Sequence, residues 1–166
     1  MILLIGLRGT GKTTVGRLLA DRLSLPFIDA DAELEAQAGR NIREIFASEG
    51  EKHFRDLEEQ VLREVLQRGP AVIATGGGVV LRETNRQRLR EAGRVIWLTA
   101  DVNTLWQRLC DDEITHGRRP NLLAGGPEEI GQLMKQREQF YRSCADLEVS
   151  TVGRSPEEIA AAILAS

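Results

Sequence analysis

The sequence predicts an α/β fold of three layers, in which a five-stranded parallel sheet carries helices on both faces. Two observations predict it. Short β-rich runs alternate with amphipathic helical stretches from one end of the chain to the other, the pattern of strands joined by helical crossovers. The first of these runs leads directly into Gly6-Leu7-Arg8-Gly9-Thr10-Gly11-Lys12-Thr13, a phosphate-binding loop in the strand–loop–helix context it requires.

Taken in order, the apolar run Ile2–Ile5 reads as the first strand, and Thr13–Leu23 carries apolar residues at helical spacing. Phe27–Asp29 is the second strand, followed by a helix over Asp31–Ala38 and a long helical stretch over Asn41–Gln67, broken near Gly50. The turn Arg68-Gly69-Pro70 introduces a strand at Ala71–Thr75, and helix Glu83–Ala92 ends at a second turn, Glu91-Ala92-Gly93, before strand Val95–Leu98. Helices over Val102–Leu109 and Pro127–Ala145, strand Leu147–Ser150 and helix Pro156–Leu164 complete the pattern. There is no internal repeat, low-complexity tract or interdomain linker. Ligands of such sheets gather at the carboxyl ends of the strands.

At 166 residues the chain suits one domain, residues 1–166, with a real core and no room for a large effector module. The net charge of −3 argues against nucleic-acid binding through bulk positive charge, so any positive field is local. No apolar run approaches the ~20 residues of a membrane span, and the first strand leaves no space for a signal peptide, which predicts a cytoplasmic protein without a membrane partner. Cys110 and Cys144 lack CxxC or Cys/His metal spacing and read as packing residues.

The phosphate loop sets the chemistry. Its glycines let successive backbone N–H groups face phosphate oxygens, Lys12 reaches the β- and γ-phosphates, and Thr13 offers a hydroxyl to Mg²⁺, while the helix that follows aims its positive dipole end at the same anion. A nucleoside triphosphate is the expected ligand. Asp29 and Asp31 close the second strand; two residues apart in a strand, both face one side, where the pair is able to serve Mg²⁺ and orient an attacking hydroxyl. The alternative is that one of the pair is an N-cap to the next helix, and Asp31 is able to combine capping with the other role. Gly76-Gly77-Gly78 ends the third strand at an entropic cost that close ligand approach to bare backbone explains, a flexible turn being the other reading. Glu58 is placed to hold the Arg55 guanidinium as an i, i+3 pair, and His53 reads as a surface or packing residue. From 112 to 126 the sequence turns polar and Gly-rich, as a mobile lid would, with Arg118 and Arg119 as candidates to swing onto a triphosphate; the competing reading is a solvated basic turn. His116 receives no role.

Together these positions resemble the shikimate kinases over essentially the whole chain. The family's motifs appear in order as the loop Gly6 to Thr13, Asp29 and Asp31, Glu49-Gly50-Glu51 with Phe54-Arg55 and Glu58, Gly76-Gly77-Gly78, Arg119-Pro120-Asn121-Leu122, and Arg137 four residues before Tyr141. Asn121 stands where the family usually has leucine, and Arg118 competes with Arg119 for the lid contact. The resemblance implies a P-loop kinase fold of nucleoside-monophosphate-kinase type with a mobile lid, and transfer of the ATP γ-phosphoryl group to the 3-hydroxyl of shikimate by a monomer. It implies that Gly9, Thr10, Gly11, Lys12, Thr13 and Thr14 bind ATP, with Arg108 and Arg154 near the adenine. Asp31, Arg55, Gly76, Gly77, Gly78 and Arg137 are implied to hold shikimate, with Asp31 as base. Lys12 and Arg119 are implied to act on the transferred phosphate, and Thr13 with Asp29 to serve Mg²⁺. Two arginines beyond those ATP needs, Arg55 and Arg137, suit an anionic, hydroxylated acceptor, because guanidinium forks bind planar anions bidentately. Competing readings are a gluconate-type or nucleotide kinase and a catalytically silent ligand sensor.

Overall fold

The computed structural model describes residues 1–111 and 125–166. Strands β1 (Ile2–Ile5), β2 (Phe27–Asp29), β3 (Val72–Ala74), β4 (Arg94–Thr99) and β5 (Leu147–Ser150) form one parallel sheet in the order β2-β3-β1-β4-β5. The helices among the described residues are α1 (Lys12–Leu23), α2 (Ala30–Ala38), α3 (Ile42–Leu66), α4 (Glu83–Ala92), α5 (Val102–Asp111), α6 (Gly126–Cys144) and α7 (Pro156–Ala165), with a 3-10 turn at Val79–Leu81. Every expected element is present, with ends displaced by one or two residues. The expected break in the long helix falls at Gly50, whose backbone (φ 79°, ψ 177°) leaves the helical region inside α3. The lid expectation lies outside the described residues for 112–124, including Arg118 and Arg119; its last residue, Gly126, belongs instead to α6.

Strand periodicity divides the core. Leu3, Ile5, Ile73, Val95 and Trp97 point to the side covered by α3, α4 and α6, whereas Leu4, Val72, Ile96 and Leu98 meet Val15, Leu19 and Ile163 of α1 and α7. Both faces are buried, as parallel sheets require. Cys144 packs in the first of these cores, but Cys110 is exposed, so the packing reading holds only for Cys144. Because β3 inserts between β1 and β2, and β4 pairs with the other edge of β1, the chain reverses direction across the sheet at β1. The crevice at such a switch point is where ligands bind in open α/β sheets.

A charged network ties α3 to α4. Glu59 accepts from Arg82 at 2.8 Å, from Arg88 at 2.7 Å and from Thr84 at 3.2 Å. The guanidinium of Arg88, then that of Arg82, pulls the carboxyl from its ordinary 4.5 down to about 2. A carboxylate depressed on folding contributes stability above its unfolded pKa and loses it as pH falls through the folded one. Glu59→Gln should therefore cost about 1–2 kcal/mol at pH 7, and the gap to the wild type should close between pH 4.5 and about 2. Urea unfolding at pH 7 and pH 2.5 checks this; a gap independent of pH would contradict it.

Candidate active site

A cleft of about 890 Å³ opens at the carboxyl ends of β1, β2, β3 and β5. The phosphate loop forms its floor. Gly9 and Gly11 take left-handed backbone conformations (φ 81° and 87°) that disfavour side chains, and Thr10 braces the loop by donating its hydroxyl to the Leu7 carbonyl at 2.8 Å. Lys12 Nζ donates to the carbonyls of Gly6 and Leu7, both at 2.9 Å, which places the ammonium inside the loop. Helix α1 starts with no side-chain cap and no acidic residue in its first turn, so the positive end of its dipole is left to whatever anion enters. Thr14, Arg8 and Arg17 also line the cleft.

The two aspartates sit differently from the strand reading. β2 ends at Asp29 and α2 begins at Ala30, so Asp31 stands in the first turn of a helix. Asp29 is the N-cap: its Oδ1 accepts from the amides of Asp31 and Ala32 at 3.1 and 3.3 Å. Capping satisfies orphan amides that a continued strand would not have, and this decides which aspartate caps. Asp29 Oδ2 accepts from the Thr13 hydroxyl at 3.0 Å. Thr13 and Asp29 thus form a pair of hard oxygen donors beside the loop, the kind of donor that suits a divalent cation such as Mg²⁺. Asp31 lines the cleft beside them.

At two positions of the glycine turn, Gly76 and Gly78, the side chains around it give a further reason for its composition beside ligand approach. None of Gly76, Gly77 and Gly78 has a left-handed backbone. A Cβ on Gly76 would lie 2.7 Å from Asp31 Oδ1 and 2.7 Å from Glu58 Oε1, and one on Gly78 would lie 2.5 Å from the Arg55 guanidinium carbon. Three ionic side chains therefore occupy the space that Cβ atoms would fill. Gly77 faces the phosphate loop, its Cβ position 3.4 Å from the Gly6 carbonyl oxygen and 3.5 Å from the Arg8 amide nitrogen. Thr75 closes the junction by donating its hydroxyl to the Leu4 carbonyl at 3.0 Å.

Arg55 is buried behind this turn. It forms the expected i, i+3 pair with Glu58 (2.6 Å), reaches Glu51 at 3.3 Å and lies over the Phe54 ring at 4.9 Å. Arg137 of α6 lines the cleft and donates to the Gly77 carbonyl at 3.1 Å. At the other end, Arg108 donates to the Gly9 carbonyl at 3.1 Å and to the hydroxyl and carbonyl of Thr151 at 2.9 and 3.0 Å, tying the phosphate loop to the end of β5. Arg154 lines the cleft beside Pro156 and donates to the Glu158 carbonyl at 3.2 Å. His53 pairs with Glu49 on the surface, as its reading expects. Sequence reasoning missed Thr151, Pro156 and Ile159 as cleft residues. Their one signal is position, just beyond the carboxyl end of the last strand.

The family profile described as shikimate kinase matches residues 8–166. A shikimate kinase of Rhodopirellula baltica is 45% identical over 162 residues, covering 97% of this chain and 87% of that protein. This chain belongs to the shikimate kinase family. A second member, from Symbiobacterium thermophilum, is 45% identical across 98% of this chain and 93% of its own length. Among solved structures, shikimate kinase from Acinetobacter baumannii in complex with shikimate superimposes with a TM-score of 0.91 at 38% identity, covering 98% of this chain and 89% of that one. Family and fold together make the chain an ATP-dependent kinase with the P-loop kinase architecture. No helix among the described residues is long and apolar enough to cross a membrane.

Proposed function

We propose that this chain, acting as one monomeric cytoplasmic domain, transfers the γ-phosphoryl group of ATP to the 3-hydroxyl of shikimate. The observation that carries this reading is the apposition of the glycine turn to the phosphate loop, with Arg137 and Asp31 converging on the cleft floored by Lys12. A nucleotide held by the loop and an anionic acceptor held at the turn then meet across one short gap, which is most of what phosphoryl transfer asks of a protein.

Within this reading Gly9, Thr10, Gly11, Lys12, Thr13 and Thr14 hold the triphosphate, and Arg108 and Arg154 flank the base. Arg55 and Arg137 grip the acceptor carboxylate, with Gly76, Gly77 and Gly78 forming the seat. Asp31 orients the acceptor hydroxyl and receives its proton, and Lys12 neutralises charge on the migrating phosphoryl group. Thr13 and Asp29 would hold Mg²⁺, which when bound offsets the charge of the phosphates. Arg119 joins them by resemblance alone.

The test is release of ADP in the presence of Mg²⁺ with shikimate, gluconate or AMP as acceptor. Shikimate alone should support turnover; turnover with gluconate or AMP and none with shikimate would sink the reading. A sharper expectation concerns Gly78. Its backbone suits any residue, so Gly78→Ala acts only by displacing Arg55 and should lower kcat/KM for shikimate by ~10- to 100-fold, in line with about 1–3 kcal/mol for overpacking, with the ATP KM unchanged. Steady-state kinetics in both substrates decide this.

A further inference from the structure

Tyr141 is the one tyrosine of the chain and is 1% exposed. Its hydroxyl donates to the Gly77 carbonyl at 2.5 Å, and Arg137 Nη1 donates to the same oxygen at 3.1 Å. A carbonyl oxygen has two lone pairs, so these two donors, one turn apart on α6, saturate it. The ring stacks on Trp97, with centroids 5.6 Å apart and planes 18° apart. Trp97 stands opposite Ile5, the last residue before the phosphate loop. Burial pushes the phenol well above its ordinary pKa, against the pull of Arg137 and Arg55 and with Glu58 adding to the rise, so the group remains a donor across the neutral range.

On one side the ring borders a cavity of about 150 Å³, also lined by Leu7, Thr10, Trp97, Leu105 and Met134. The hydrogen bond to Gly77, together with the stack on Trp97, fixes the hydroxyl end. On the other side of Gly77 lie Gly6 and Arg8 of the phosphate loop.

We propose that Tyr141 is a positioning residue for phosphoryl transfer: its hydroxyl fixes the Gly77 carbonyl, and through that carbonyl holds the Arg137 guanidinium where the acceptor binds. This rests on the reading of Arg137 as an acceptor-binding arginine. The hydroxyl does not touch the reacting atoms. It removes freedom from a peptide and an arginine that would otherwise have to be ordered when the acceptor arrives, so its effect belongs in acceptor affinity rather than in the chemical step.

The experiment is a double-mutant cycle with Tyr141→Phe and Arg137→Ala, read as KM for shikimate, KM for ATP and kcat. Tyr141→Phe keeps the ring and its stack and should raise the shikimate KM by ~3- to 10-fold, the size expected for one neutral hydrogen bond, with kcat and the ATP KM within about twofold of wild type. In the Arg137→Ala background the same change should add less than about twofold, because the group it positions is gone. A merely structural role would multiply fully in that background, or raise both KM values alike, and either result overturns the proposal. If Arg137→Ala itself leaves the shikimate KM unchanged, the acceptor assignment fails first and takes the proposal with it. A second measurement needs no variant: 3-fluorotyrosine incorporated throughout labels this single ring. Saturating shikimate should shift its ¹⁹F resonance, and a resonance that shikimate leaves unmoved overturns the proposal.

Discussion

Replacing Asp31 by asparagine is expected to lower kcat by roughly 10²-fold or more, the range for loss of a general base, while Mg²⁺·ATP binding stays near that of the wild type. Asparagine keeps the size and much of the hydrogen bonding of Asp31 but neither orients the acceptor hydroxyl by charge nor takes its proton. The fold should tolerate the change, because the cap of α2 is Asp29 and not Asp31. Asp29→Asn should fail in another way. Asparagine is a good N-cap, so α2 survives, but the charge beside Thr13 is lost. The Mg²⁺ requirement should rise, and activity should recover in part as metal is added. A Mg²⁺ titration of both variants at saturating ATP and shikimate separates them: rescue of Asp31→Asn and not of Asp29→Asn would reverse the two roles.

Arg55→Ala should produce a double defect. Loss of one arm of the proposed acceptor clasp should lower kcat/KM for shikimate by ~10- to 1,000-fold, since a charge-assisted hydrogen bond contributes about 1.5–3 kcal/mol and its loss costs more where the partner stays buried. The protein should also lose about 3–5 kcal/mol of stability, because Glu58, with its side chain 7% exposed, would stay buried after losing its 2.6 Å ion pair with Arg55. Arg137→Ala should show the first defect with little of the second, since Arg137 is only partly buried and donates to a carbonyl rather than to a carboxylate. Adding Glu58→Gln to Arg55→Ala should restore part of the stability and none of the shikimate affinity. Kinetics in both substrates with thermal unfolding of each variant check the division; an equal loss of ATP affinity in Arg55→Ala would contradict it.

Much of the fold was legible in the sequence because its signals are local. The phosphate loop needs fixed residue types at adjacent positions, and helices and strands announce themselves by periods of 3.6 and 2 residues. The break at Gly50 and the Arg55–Glu58 pair were legible for the same reason: each depends on residues within one turn of helix.

The tertiary structure decided what depends on residues far apart in the chain. Whether Asp29 or Asp31 capped α2 turned on where β2 stopped. Composition offers ligand approach as a reason for the glycines of the 76–78 turn; that Gly76 and Gly78 are also crowded by Asp31, Arg55 and Glu58, brought there from α2 and α3, is visible only in the fold. Likewise, nothing near Arg108 in sequence indicates that it spans Gly9 and Thr151, or that Tyr141 and Arg137 share the Gly77 carbonyl. The sequence by itself determined the elements, the phosphate loop and the set of residues available for chemistry, because these are properties of neighbouring positions. Only the tertiary structure determined which of those residues meet, because the strand order β2-β3-β1-β4-β5 places the ends of β1 and β3 side by side and no local pattern encodes that order.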